Sequence, residues 1–150
     1  MKNSSAQTFV LVLGILVIIF GSTGLLFSLS GLALTSYWDS TLPVDSGVSW
    51  IFYYIFAVFI TGFRVFIGIM AVTQRKKPEK ASMLRTFGII FVAITLLDLI
   101  LVHTIFSTSS HVVDSSFAIG FSIGSTIGMF IMPILYTIAA QALVNSIETS

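Results

Sequence analysis

The sequence predicts an all-α, polytopic membrane protein, a four-transmembrane-helix bundle with short loops and both termini cytoplasmic. Three observations carry that prediction. Of 150 residues, 56% are hydrophobic and 9% charged, with a mean hydropathy of +1.05, whereas a water-soluble domain is about a quarter charged. Four apolar runs each reach the roughly 20 residues a bilayer requires. They are continuous, not alternating as barrel strands would be. Finally, the basic residues gather in one connection, as the positive-inside rule demands of a cytoplasmic loop. Helices are the default because every backbone group in lipid needs an internal partner. One domain fills residues 1–150.

The first span covers about 9–34. Lys2 precedes an apolar stretch, so a cleavable signal peptide is the rival reading. The uncharged run from Phe9 to Leu34 is much longer than an h-region of about 7–15 residues, and a retained helix is expected. Gly14, Gly21 and Ser28 recur at heptad intervals with Gly24 and Gly31 alongside, which gives this helix a small face.

The second span, about 50–72, separates into two stripes at about 100° per residue. Phe52, Phe56, Phe59, Phe63 and Phe66 share one and are expected to face lipid. Ala57, Thr61, Arg64, Gly68 and Ala71 share the other, which Tyr53 and Trp50 extend. Small residues mark close helix contact in membranes, where no hydrophobic force distinguishes lipid from leucine. Arg64 thus belongs to the packed face.

After it comes "TQRKKPEKASMLR", with Arg75, Lys76, Lys77, Lys80 and Arg85 against Glu79. The connections at the opposite end carry Asp39, Asp45 and Asp114 and neither lysine nor arginine. The basic loop is therefore expected on the cytoplasmic side. Tyr37, Trp38, Trp50, Tyr53 and Tyr54 then gather at the outer interface, where amphipathic rings settle. The five basic residues fix orientation first, and they are also suited to anionic lipid headgroups at about 1 kcal/mol each near the surface.

The third span, about 86–106, contains Asp98. It and Arg64 are the only two charges deep in the apolar spans, and they are opposite in sign. An isolated arginine at helix centre costs about 2.5–3.5 kcal/mol on insertion scales. Side chains lean toward their own helix N-terminus, and these two helices run in opposite directions. The two heads therefore converge. An intramembrane charge pair, Arg64–Asp98, is expected, with Thr61 and Thr95 placed to extend it into a polar network. Read as architecture, such a pair fixes which helices are neighbours. Read as function, it marks a transport pathway. His103 and His111 flank the outer end of this span. Without a carboxylate at matched spacing they make no metal site; interfacial hydrogen bonding is the plain reading, and outward-facing pH sensing the functional one.

The fourth span, about 116–143, places Ser116, Gly120, Gly124 and Gly128 four residues apart, a tandem GxxxG that lets a neighbouring backbone approach. Pro133 removes a backbone donor and is expected to kink this helix. "TFVLVLGILVII" and "TFGIIFVAITLL" begin alike, but most of that match is what two apolar segments share.

Catalytic signatures are missing. There is no GxxxxGK[ST], HExxH, GxSxG or dinucleotide fingerprint. Cysteine is absent, which removes thiolate metal sites and cysteine nucleophiles. An intramembrane aspartyl protease requires two carboxylates, and Asp98 stands alone. A non-enzyme without metal or cofactor is expected. A net charge of +1, with no basic cluster among aromatics, argues against nucleic acid. The expectation is a protein of the plasma membrane that acts by helix–helix association, with a membrane-protein partner or as a homo-oligomer: a subunit or modulator of a complex, or a toxin-immunity type protein. The alternative is a small transporter or channel component using Arg64 and Asp98. Lipid or small-molecule binding between helices is a third option.

Overall fold

A computed structural model describes residues 2–34, 50–108 and 115–148, with side chains over 5–34, 51–100 and 130–148. The described residues form four long helices: α1 (Lys2–Ala33), α2 (Trp50–Gln74), α3 (Ala81–Thr108) and α4 (Ser115–Glu148). A 3₁₀ turn, Pro78–Lys80, joins α2 to α3. Each helix is long and apolar enough to cross a membrane, over Ser5–Ala33, Ile51–Gln74, Pro78–Ile100 and Phe130–Glu148 among the described residues. Four such helices point to a multi-pass membrane protein.

The helices outrun their apolar cores. α1 begins at Lys2, ahead of Phe9, and α4 continues to Glu148, past Leu143. Hydropathy marks where a helix is greasy, whereas the hydrogen-bond ladder stops only where something breaks it. The basic connection shrinks accordingly, and Arg85 lies within α3, which starts at Ala81. Pro78 opens the 3₁₀ turn, where its missing N–H leaves nothing unsatisfied that a first turn would have satisfied. Lys76, Lys77 and Lys80 are exposed there, while Arg75 and Arg85 are half-buried. The Arg75 guanidinium donates to the Val72 carbonyl and so finishes α2.

Buried positions repeat at steps of three and four, the period of one helical face. On α3 they are Ala81, Leu84, Gly88, Phe91, Thr95 and Asp98. On α1 they include Val10, Gly14, Val17, Gly21, Ser28 and Gly31. The small face of α1 lies directly on that of α2. A Cβ built on Gly14 would stand 2.9 Å from Ala71 Cβ; on Gly21, 3.0 Å from the Val65 nitrogen; on Gly24, 2.9 Å from Thr61 Cγ2. On Gly31 it would overlap the Tyr54 ring. As positions rise along α1 they fall along α2, so the two are antiparallel. Small side chains let the backbones approach, and dispersion over that length holds them.

Among the described residues, α1 packs most extensively on α2, and α3 on α4; α1 also meets α4, and the α2–α3 seam is the lightest of these four. The bundle is thus two intimate antiparallel pairs closed into a ring. Among the described residues, the buried core lies toward the end holding both termini and the 75–80 turn. Val10, Leu13 and Val17 meet Ile67, Ala71, Leu84, Phe91, Tyr136, Ala140 and Leu143 there.

The phenylalanine stripe faces outward in part only. Phe52, Phe59 and Phe66 are exposed, but Phe56 and Phe63 are half-buried. Phe63 packs on the core, and Phe66 meets Phe87 of α3 edge-on at 5.7 Å. The stripe borders the α3 neighbour, so its inner edge is covered by protein. α4 runs unbroken through Pro133, which is buried.

Candidate functional site

The site grows from Arg64. At about 1.5 Å per residue, its backbone stands roughly 15 Å from the end of α2, and that of Asp98 roughly 25 Å from the start of α3. The arginine leans toward the N-terminus of α2 and the aspartate toward that of α3, so the heads approach from opposite directions. Arg64 Nη2 donates to Asp98 Oδ2 at 2.9 Å. The two side chains keep 17% and 11% of their surface. They are nearly enclosed, and a charge-assisted hydrogen bond of this length is strong in such surroundings. Gly21 of α1 lets the Arg64 backbone sit close, since a Cβ there would reach within 3.3 Å of Arg64 Cβ.

The two threonines stay out of the pair. Thr61 is buried against Gly24, and its hydroxyl donates to the Ala57 carbonyl at 2.7 Å, the back-bond a helical threonine makes most readily. Thr95, one turn below Asp98 on the same face, is fully buried, and its hydroxyl has no partner among the described residues. Instead the pair has Tyr53 within electrostatic reach of both its members. Tyr53 stands three turns before Arg64 on one face of α2, and its ring meets Tyr54 edge-on at 5.3 Å. That three-turn spacing was the available signal. An aromatic-belt role explains Tyr53 equally well in sequence, so the spacing alone did not single it out.

Another buried hydroxyl escapes sequence reasoning. Tyr136 of α4 is fully buried; its ring meets Phe91 edge-on at 6.3 Å, and its hydroxyl is unpartnered among the described residues. The α3–α4 approach runs through Gly88, where a Cβ would stand 2.8 Å from Thr137 Oγ1 and 3.1 Å from Thr137 Cα. Ser116, Gly120, Gly124 and Gly128 all belong to α4, and their surroundings lie outside the described residues. His103 belongs to α3 with its side chain likewise outside them, and His111 is outside them altogether. Among the described residues no group of three His, Cys, Asp or Glu gathers to hold a metal ion.

Compared with known protein families, characterised proteins and solved structures, the chain matches none. The residues themselves therefore carry the functional argument. What this arrangement can do chemically is neutralise two charges, clasp α2 to α3, and keep a carboxylate beside otherwise apolar helices.

Proposed function

We propose that this chain is a non-catalytic plasma-membrane protein that acts through helix–helix association, as a subunit or modulator of a larger membrane complex or as a toxin-immunity type protein. One observation carries the reading: the interior charges are neutralised within the chain, while large apolar side chains point outward from every helix. Phe20 and Phe27 of α1, Phe52 and Phe59 of α2, Ile100 of α3 and Ile138 of α4 are all exposed. A bundle satisfied inside and apolar outside does its work at its periphery, against lipid or another membrane protein. The connection bearing Arg75, Lys76, Lys77 and Lys80 supports cytoplasmic termini. Extraction in mild detergent tests the reading. Stoichiometric co-purification of another membrane protein is the expected result; a monomer carrying no partner in any extract would sink it.

A second reading, a small transporter component, is favoured by the position of the Arg64–Asp98 pair in the lightest of the four seams. That seam is where opening disturbs least packing, and an intramembrane ion pair there is suited to gating. Its signature is a homo-oligomer with pH-dependent flux in liposomes.

A further inference from the structure

We propose that α3 and α4 enclose a site for bound water between Thr95 and Tyr136, which continues the polar line begun by Asp98 into the core at the terminal end. The proposal stands on the α3–α4 interface and is independent of the functional reading above.

Both side chains are 0% exposed, and neither hydroxyl has a partner among the described residues. Buried polar groups of this kind are normally satisfied by protein or by ordered water. Thr95 is distinctive among its own kind. Thr23, Thr61, Thr73, Thr86 and Thr137 each donate to the carbonyl four residues before. Thr95 does not, so its buried hydroxyl is left unspent by the Phe91 carbonyl.

The packing sets Tyr136 on the same stretch of α3. The ring rests on Gly88 and Phe91, and Thr95 is one turn beyond Phe91. α3 and α4 are antiparallel, because the six residues 109–114 span at most about 20 Å, far less than the roughly 40 Å length of α3. A tyrosine leaning toward the N-terminus of α4 therefore carries its hydroxyl along α3 in the direction of Thr95. A threonine and a tyrosine hydroxyl each donate one hydrogen bond and accept others, which together supply the partners one water requires. Asp98 lies one turn above Thr95 on the same face, so carboxylate, hydroxyl, water and phenol follow one line.

Thr95→Val and Tyr136→Phe, made singly and together in the full chain, test this by thermal unfolding in detergent. With water held between the hydroxyls, each single change lowers the melting temperature. The double variant then loses no more than the larger single, because both remove partners of the same molecule. Melting temperatures that rise or stay level overturn the proposal, since deleting a dry, unpaired hydroxyl is neutral or stabilising. Losses that simply add overturn it as well. Should a variant fail to fold, a high-resolution density map of the natural chain decides. Density within hydrogen-bond distance of both hydroxyls is expected; a direct Thr95–Tyr136 bond, or no density between them, refutes it.

Discussion

Gly68 of α2 faces Gly14 of α1 so closely that a Cβ on Gly68 would lie 2.8 Å from the Gly14 carbonyl oxygen. The same Cβ would stand 2.6 Å from Ile18 Cγ1. A side chain can swing aside, but a backbone carbonyl in mid-helix moves only with its helix. Gly68→Ala is therefore expected to lower stability by about 1–3 kcal/mol through overpacking. Gly62 supplies the control on the same helix, since a Cβ there meets nothing within 4 Å. Gly62→Ala should gain up to about 1 kcal/mol from helix propensity alone. Thermal unfolding of the two variants side by side checks both signs.

The Arg64–Asp98 pair is to be tested as a pair. Asp98→Asn leaves an enclosed guanidinium without its counter-charge, and Arg64→Gln does the same to the carboxylate. Each single change is expected to cost on the order of 3 kcal/mol. The double variant, with two neutral amides that can bond to each other, should recover most of that loss. Yield of folded protein and melting temperature give the readout. Singles as stable as the natural chain would show that the clasp contributes nothing. If all three variants fold and a proton-linked flux disappears, the transport reading gains.

The chain has no cysteine, so single introduced thiols report topology without background. A cysteine at Lys77, exposed in the short connection, should react with a membrane-impermeant reagent only after the cytoplasmic side is opened. One at Ser46, in the opposite connection, should react in intact cells. The reverse pattern overturns the proposed orientation.

Replacing Lys76, Lys77 and Lys80 with glutamine removes three exposed charges and leaves the half-buried Arg75 and Arg85 in place. Inverted or mixed thiol labelling would assign these lysines to orientation. Unchanged labelling with weaker retention of anionic lipid would assign them to the headgroups, at about 1 kcal/mol per charge. Native mass spectrometry of lipid adducts separates the two results.

Helix number and the inward faces were legible in the sequence because they rest on periodicity. Gly14, Gly21 and Ser28 on one helix, and Thr61, Gly68 and Ala71 on the next, carry the spacing of a close seam, and they are buried together. The convergence of Arg64 and Asp98 followed from charge, depth and lean. Hydroxyl choices were not legible. Nothing in "VAITLLD" indicates that Thr95 makes no bond to its own backbone while Thr61 does, because that depends on which rotamer the facing helix allows. Nor did any motif single out Gly88, whose importance arises from Thr137 opposite it. The helix ends were displaced for a related reason, since polar residues such as Lys2 and Ser82 extend a helix beyond its apolar section without interrupting it.

The pairing of neighbours along the chain has a consequence for biogenesis. α1 finds its most intimate contact in the very next helix, and α3 in the one that follows it. Each hairpin can zip shut soon after its second helix leaves the ribosome, since the loops to be closed are short. Contact between α1 and α4 must wait until α4 has been made. The ring is then sealed by the seam whose halves are farthest apart in time.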